Sequence, residues 1–162
     1  MKATRATGIQ YAALPYRIEG GRTRILLITS RETRRWVIPK GWPMNGLKPQ
    51  DAAAAEAAEE AGLIGTVEPQ PLGSYRYLKR LKNNDAAAVQ VIVFAFAVTA
   101  QVESWKEQDQ RTLRWFGYRT AAGLVAEPSL KRLIRDFGAE HSNSLMARSL
   151  RRYRAWRFGA AA

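Results

Sequence analysis

The chain has 162 residues, of which 46% are hydrophobic and 25% charged, so it is large and apolar enough to fold as one soluble domain. It contains no cysteine and one histidine, which excludes disulfide frameworks, thiolate metal sites, cysteine nucleophiles and multi-histidine metal centres within one chain. Any metal must therefore be held mostly by oxygen, and the net charge of +12 favours anionic partners such as nucleic acid, phosphorylated metabolites or an anionic membrane.

The first third of the chain predicts strands separated by turns. Ile9 to Ile18 has β-type composition, although Pro15 favours a sheet edge or a bulge over a central strand. A turn is expected at Gly20-Gly21, followed by short strands at Arg24 to Ile28 and Arg35 to Ile38. The prolines and glycine of the next five residues then predict a structured loop.

The segment Pro49 to Ala61 predicts a helix, because it is rich in alanine, accepts proline in its first turn and is followed by Gly62 as a C-terminal cap. Glu56, Glu59 and Glu60 stand there at i, i+3 and i+4, so their carboxylates project from about one face. Like charges at these spacings destabilise a helix by roughly a few tenths of a kcal/mol per pair. The arrangement is either a solvated acidic face or a site for Mg²⁺ or Mn²⁺.

The next part of the chain predicts three more strands. Gly73 to Leu81 and Val89 to Val98 are expected to pair antiparallel around a turn at residues 83–85. Residues 102–110 are polar and acidic and predict an exposed loop, whereas Thr112 to Tyr118 predicts a short strand that returns to the sheet.

Two helices are predicted at the C-terminal end. The first follows Pro128, because apolar residues recur at i, i+3, i+4 and i+7. These are Leu130, Leu133, Ile134 and Phe137. The second, from about Ser142 to Phe158, carries many arginines and gives a basic helical extension over residues 139–162, packed on the domain of residues 1–138. The basic surface either is simply solvated or attracts a polyanion, and neutralising its arginines separates the two.

The sequence from Gly41 to Leu63 resembles the signature of the Nudix hydrolase family, in which glycines and glutamates follow one another at fixed spacing. Gly41 takes the first glycine of the motif and Gly62 the second. Leu47 stands where the family has its first glutamate, and Ala55 where it has an arginine that orients a catalytic glutamate. The remaining acidic positions are kept: Glu56, Glu59 and Glu60.

The resemblance covers most of residues 9–137 and is closest to the diphosphoinositol polyphosphate phosphohydrolase branch. The similar segments are residues 36–41, 102–105, 115–116 and 125–128. It implies an α+β fold, an α/β/α sandwich with a mixed central sheet, to which the basic C-terminal helix is added. It also implies Mg²⁺ or Mn²⁺ held by Glu56, Glu59, Glu60 and the carbonyl of Gly41, with the three glutamates as the catalytic residues.

The implied reaction is hydrolysis of a phosphoanhydride, in which metal ions neutralise phosphate oxygens and lower the pKa of bound water. Some group must also accept a proton from that water. The family draws this base either from the motif helix or from a distant acidic loop. Four carboxylates stay open as candidates: Glu56, Glu60, Glu103 and Glu107.

Cations that precede and follow the motif are predicted to contact substrate phosphates, although solvated charge is the alternative for each. They are Lys40, Arg76, Arg80 and Lys82. In a regular strand the last three share one face and Lys79 points to the other. Trp42 either stacks on a base or covers the loop.

The sequence therefore predicts a metal-dependent hydrolase of a highly anionic small molecule, such as a diphosphoinositol polyphosphate or a dinucleoside polyphosphate. The alternative is a Nudix-fold binding module with eroded catalysis that holds RNA or another polyanion, for which Leu47 and Ala55 argue. No apolar run is long enough to span a bilayer, and no secretory signal is recognised, so a cytoplasmic monomer or homodimer is expected.

Overall fold

The computed structural model describes residues 8–82 and 85–142, in which seven strands form one mixed sheet with helices on both faces. The strands are β1 (Gly8–Glu19), β2 (Arg22–Thr29), β3 (Trp36–Val37), β4 (Lys40–Gly41), β5 (Leu63–Arg80), β6 (Ala86–Gln101) and β7 (Leu113–Gly117). The helices are α1 (Pro49–Ala61), α2 (Tyr118–Leu124) and α3 (residues 128–142), and a 3-10 turn covers Gln108–Gln110.

The strands lie in the order β3-β2-β1-β6-β5, with β4 also paired to β1 and β7 to β2. β1 and β6 run parallel, from Gly8 opposite Val89 to Tyr16 opposite Ala97, whereas the other pairs are antiparallel. The predicted turn between β1 and β2 is confirmed. Its two glycines, Gly20-Gly21, have φ of 57° and 73°, the left-handed values that a two-residue hairpin turn requires.

Pro15 was predicted to favour a sheet edge or a bulge over a central strand, and the edge is wrong, because β1 is a central strand between β2 and β6. The first half of β1 pairs with β4, ending at Ala12 opposite Lys40, and its second half pairs with β2, beginning at Tyr16 opposite Ile25. Pro15 lies in the gap between these two partners, where the sheet needs no N–H from it.

Alternation along the strands divides the core into two layers, which makes the predicted α/β/α sandwich. One face of β1 and β2, with Leu14, Ile25 and Leu27, packs with α2 and α3. The opposite face, with Leu26 and Ile28 among others, packs with the alanines of α1. The predicted apolar positions of α3 are also confirmed. Of these, Leu130, Ile134 and Phe137 are buried, and Leu133 is partly buried against the same cluster.

Helix α1 begins and ends as predicted. Gly62 adopts φ 66° and donates its backbone N–H to the carbonyls of Ala57 and Ala58, which is the usual glycine C-cap. Small side chains let the helix lie close to the sheet, so Ala53, Ala57 and Ala61 have no exposed surface. This close packing fixes which face of α1 turns away from the sheet.

Strand β5 is ten residues longer at its start than the predicted strand, because Pro69 and Pro71 conceal it in the sequence. β5 lies at one edge of the sheet, and its register with β6 shifts on both sides of Pro71. These irregularities accommodate a residue that has no N–H to donate. Its predicted antiparallel pairing with β6 is confirmed, while residues 83–84 of the predicted turn lie outside the described residues.

Residues 102–110 were predicted to form an exposed loop, and this is wrong for part of the segment. Trp105 packs on the C-cap of α1, where a Cβ on Gly62 would collide with the indole. The N–H of Glu107 donates to the carbonyl of Glu59 at 3.1 Å. The loop is therefore folded back over the end of α1 and brings its own carboxylate to the helix.

Helix α2 was not predicted, because its seven residues follow β7 directly and carry no helix-start signal. The predicted basic helix from Ser142 to Phe158 lies, beyond residue 142, outside the described residues. None of the helices within residues 8–82 and 85–142 has the length and apolar character needed to cross a membrane.

Candidate active site

A cavity of about 980 Å³ opens between the C-terminal half of α1, strands β4 and β5, the loop before β3 and the segment before α3. Within the described chain, six carboxylates and six cations line it. The carboxylates are Glu32, Glu56, Glu59, Glu60, Glu107 and Glu127, and the cations are Arg31, Arg35, Lys40, Lys79, Arg80 and Arg111. The cavity is therefore mixed in charge, and not a uniformly basic groove.

The three glutamates of α1 all reach this cavity, as the helical spacing predicts, but their environments differ. Glu60 is buried with 7% of its surface exposed, Glu56 is half-buried, and the side chain of Glu59 is 41% exposed. We refer to these three side chains as the α1 carboxylates. Their gradation in burial follows from the position of each residue relative to the alanine face that packs on the sheet.

Glu56 lies directly against the backbone of β4, where a Cβ added to Gly41 would collide with its carboxylate. The glycine therefore allows a close approach that any side chain would prevent. Burial raises the pKa of Glu56, and the neighbouring charges of Glu59 and Glu107 raise it further. Glu56 is thus surrounded by more negative charge than its local cations neutralise.

Glu60 is held at both of its oxygens. Arg111 donates from Nη2 to Oε1 at 2.6 Å, and the backbone N–H of Lys40 donates to Oε2 at 3.2 Å. Burial raises the pKa of Glu60 to about 7, although Arg111 and Lys40 act in the opposite direction. The carboxylate is consequently fixed in orientation while its charged form is desolvated.

Glu59 forms an exposed ion pair with Lys106, in which Nζ and Oε2 are 2.8 Å apart. The hydrogen bond from Lys106 to Glu59 raises the pKa of the lysine. Solvent screens exposed pairs of this kind and they contribute little to stability, so this contact is easily exchanged for another.

The donor set fits a divalent cation in chemistry. The α1 carboxylates and the carbonyl of Gly41 offer hard oxygen donors, which Mg²⁺ and Mn²⁺ prefer. Within residues 8–82 and 85–142, however, no three acidic or histidine side chains converge as a complete ligand set. Glu59 and Glu60 instead each contact a basic side chain, so an ion would displace the exposed Lys106 from Glu59 and share the carboxylate of Glu60 with Arg111.

The predicted substrate-contacting cations are only partly brought together. Lys40 and Arg80 line the cavity, whereas Arg76 and Lys82 are exposed and do not. Burial lowers the pKa of Lys40, and the nearby Glu60 opposes that effect. The ammonium group of Lys40 lies 5.3 Å from the centre of the Tyr77 ring, whose hydroxyl donates to Gln10 at 2.7 Å.

Lys79 lines the cavity, although it is on the opposite strand face from Arg76 and Arg80. Its Nζ lies 4.7 Å from the centre of the Trp42 ring, and the tryptophan remains 44% exposed at the cavity mouth. We refer to Lys79 and Arg80 as the β5 cations. Tyr75 and Tyr77, which share the parity of Lys79, pack in the layer of α2 and α3. Lys79 and Arg80 nevertheless both line the cavity, so strand parity alone did not decide which cations reach it.

Arg111 and the Arg35–Glu127 pair are the main components of the cavity that sequence reasoning missed. Arg35 Nη1 donates to Glu127 Oε1 at 2.9 Å, and Glu127 is buried. Among the open candidates for a general base, Glu107 lines the cavity with a side chain 14% exposed, whereas Glu103 is exposed outside the lining. The acidic composition of the loop was the signal for Glu107, and no local signal marked Arg111.

Comparison with known proteins gives a consistent picture. A family model described as NUDIX domain matches residues 9–137. Nudix hydrolase 12, mitochondrial, of Arabidopsis thaliana is 28% identical over 116 residues, which cover 70% of this chain and 57% of the plant protein. Diphosphoinositol polyphosphate phosphohydrolase 3-alpha of Mus musculus is 32% identical over 116 residues, covering 70% and 66%. The chain spans only 51% to 59% of the length of three plant relatives.

Solved structures share the fold at low sequence identity. The C. elegans Ap4A hydrolase in a binary complex superposes with a TM-score of 0.63 at 20% identity, covering 85% of this chain and 99% of the worm protein. The E. coli dihydroneopterin triphosphate pyrophosphohydrolase gives a TM-score of 0.61 at 16% identity, with the same two coverages.

Proposed function

The chain belongs to the Nudix family, and on that premise we propose that it is a divalent-metal-dependent hydrolase of phosphoanhydride bonds in highly anionic small molecules. The single observation that carries the proposal is the meeting of the α1 carboxylates and several cations in one cavity. A pyrophosphate substrate needs both groups, because the carboxylates hold metal and the cations bind the phosphates that the metal does not contact.

We assign the metal to the α1 carboxylates and the carbonyl of Gly41, as the motif implies. A bound Mg²⁺ or Mn²⁺ supplies neutralisation of phosphate oxygens and a lowered pKa of a bound water. The close approach of Glu56 to Gly41 supports this assignment, because it brings a carboxylate beside the backbone that carries the proposed carbonyl ligand.

The proton from the attacking water would pass to a carboxylate of the same cavity. Glu56 and Glu60 on α1 and Glu107 on the loop line it. A base must lie within hydrogen-bond reach of the proton that it accepts, directly or through one water. We therefore keep these three as candidates and exclude Glu103 on its position.

Phosphates of the substrate would lie against Lys40, Lys79 and Arg80. The relatives and neighbours support a nucleotide or inositol substrate, since their names include an Ap4A hydrolase and a diphosphoinositol polyphosphate phosphohydrolase. The plant, mouse and worm proteins differ in what their names describe. We accordingly propose the class of dinucleoside or inositol pyrophosphates, and not one member of it.

The test is a panel of dinucleoside polyphosphates, a nucleoside triphosphate, ADP-ribose and diphosphoinositol polyphosphate, each incubated with Mg²⁺ and with excess chelator. We expect release of phosphorylated products that stops with chelator, while the thermal unfolding midpoint of the protein stays nearly unchanged. Asp51→Asn is the matched control for substitutions of the α1 carboxylates, because Asp51 is an exposed carboxylate at the other end of α1. Retention of activity in chelator would refute metal dependence.

The binding-module alternative makes a different prediction for the same panel. A module without catalysis would bind RNA or a polyanion with no turnover of any compound, and its affinity would fall steeply with salt. Absence of turnover across the panel, together with salt-sensitive RNA binding, would replace the hydrolase proposal by this one.

A further inference from the structure

We propose that Arg111 is a positioning residue, which holds the carboxylate of Glu60 from across the cavity and so supplies the guanidinium that α1 lacks at Ala55. The inference rests on the proposed function, because Glu60 is there a metal ligand or a base. Arg111 lies outside the motif, so the spacing of the motif residues does not predict this role.

Each of the three nitrogens of the Arg111 guanidinium donates a hydrogen bond. The side chain is only 8% exposed and donates to three different parts of the chain. Nη2 contacts Glu60 Oε1 at 2.6 Å, Nε contacts Glu107 Oε2 at 2.7 Å, and Nη1 contacts the carbonyl of Thr29 at 3.1 Å. A planar guanidinium engaged on three sides cannot rotate without losing one of these hydrogen bonds.

Helix α1 has no means of its own to orient Glu60. Its last turn contains no basic residue, and Ala55 offers no donor. Glu60 is buried, so its charge requires a partner inside the protein. Arg111 takes one oxygen and the N–H of Lys40 takes the other, which leaves the remaining lone pairs of both oxygens available to an ion or a water.

The same guanidinium also joins two carboxylates that belong to different segments. Glu60 is on α1, whereas Glu107 is on the loop that folds back over the end of the helix, and Arg111 bonds both. Displacement of Arg111 would therefore change the position of both candidate bases together. Loss of such a supporting hydrogen-bond donor commonly costs about 10- to 100-fold in metal affinity or activity.

The experiment compares Arg111→Lys with Arg34→Lys. Lysine keeps the charge of Arg111 but not the fork that reaches three acceptors. Arg34 is the matched control, because it bonds the same segment at the carbonyl of Gln110 and the hydroxyl of Thr112 without touching a carboxylate. For each variant we would measure Mn²⁺ binding to the free protein by electron paramagnetic resonance, together with kcat and KM for the best substrate of the panel.

We expect Arg111→Lys to weaken Mn²⁺ binding and to lower kcat, each by about 10-fold or more, with KM changed by less than about threefold. Arg34→Lys should change all three by less than about twofold. In a Glu60→Gln background, Arg111→Lys should add less than about threefold, because the residue through which it acts is already altered. Equal effects of the two lysine variants, or an undiminished effect of Arg111→Lys in the Glu60→Gln background, would overturn the inference.

A second variant covers failure of Arg111→Lys to fold. Arg111→Gln combined with Glu107→Gln removes one charge of each sign, and it is compared with Glu107→Gln alone. The inference requires weaker Mn²⁺ binding in the double variant, and equal binding overturns it. If the wild-type protein neither turns over the panel nor binds Mn²⁺, the proposed function fails and the inference fails with it. If the wild type does both and the variants match their controls, only the inference fails.

Discussion

The α1 carboxylates and the β5 cations face the same cavity, but they are held there by different kinds of contact. Glu60 is buried between a guanidinium and a backbone N–H, at distances of 2.6 and 3.2 Å. Lys79, in contrast, rests on the ring of an exposed tryptophan, and Arg80 is exposed. Glu60, on one side of the cavity, is fixed by directional hydrogen bonds, whereas Lys79, on the other side, is held by a weakly directional ring contact.

Because of this difference, the two sides can have separate roles in the proposed hydrolysis of a phosphoanhydride. Metal ligands and bases must be held within a fraction of an ångström, because small misplacements at a reacting centre are costly in rate. Phosphate-binding side chains need only charge and reach, and a lysine over an aromatic ring keeps both. We therefore expect substitutions on the α1 side to change kcat and those on the β5 side to change KM.

The largest expected effect is that of Glu60→Gln or Glu59→Gln, each of which should lower kcat/KM by about 100-fold or more, since each removes a ligand charge with little change in shape. The two should differ in stability. Glu60→Gln should raise the thermal unfolding midpoint by about 2–4 °C, because burial disfavours the charged carboxylate and raises its pKa to about 7, so a neutral amide of the same shape is better tolerated there. Arg111 keeps Glu107 as a partner in this variant. Glu59→Gln should leave the midpoint nearly unchanged.

Steady-state kinetics and calorimetry on both variants check this prediction. Unaltered turnover in both would remove the α1 carboxylates from the reaction. Equal midpoints in the two variants would show that burial of the charged Glu60 side chain does not lower the stability of the fold.

A smaller effect is expected on the β5 side. Lys79→Met should raise KM for the most highly charged substrates by about three- to tenfold with kcat nearly constant, because it removes about one cation's attraction in a solvated cavity. Arg76→Met is the matched control on the same strand, since Arg76 does not line the cavity. Measurement of KM at several salt concentrations should show a flatter dependence for Lys79→Met only. Equal KM values for the two variants would mean that phosphates are bound elsewhere.

The smallest effect is expected from Ala55→Arg, which restores the arginine of the motif. The change in kcat/KM should be less than about threefold, because Arg111 already holds Glu60 and the site is built without an arginine at position 55. A large gain in rate would show that the site is impaired by its departure from the motif. It would also show that Arg111 does not hold the α1 side in its working position.

The same division explains what could be predicted from sequence. Helical spacing places Glu56, Glu59 and Glu60 together without knowledge of the fold, since positions three and four apart share a face in any helix. Strand parity puts Arg76 and Arg80 on one face and Lys79 on the other, but Lys79 and Arg80 line the cavity and Arg76 does not. Which cations reach the cavity therefore depends on how this end of β5 packs, and not on parity alone. The prediction for the α1 side needed only the local helix geometry, whereas the prediction for β5 needed the tertiary packing.

Long-range features were missed for the same physical reason. Arg111 contacts Glu60 across 51 residues of sequence, and its own neighbours carry no pattern that marks it. Pro15 was predicted to lie at a sheet edge or a bulge, because proline cannot donate an N–H to a neighbouring strand. That rule assumes that a central strand keeps one partner along each side. β1 instead changes its partner at that proline, and the change is decided by β4 and β2 together.

The parallel pairing of β1 with β6 also bears on the order of events during synthesis. Gly8 pairs with Val89, so during synthesis β1 waits for about eighty further residues before its parallel neighbour exists. The hairpin of β1 and β2 and the helix α1 can form earlier, because their contacts are local. The buried carboxylate of Glu60, however, has no guanidinium until residue 111 has been translated. On a nascent chain this glutamate is expected to stay hydrated, and the end of α1 to settle on the sheet only after that residue has been made.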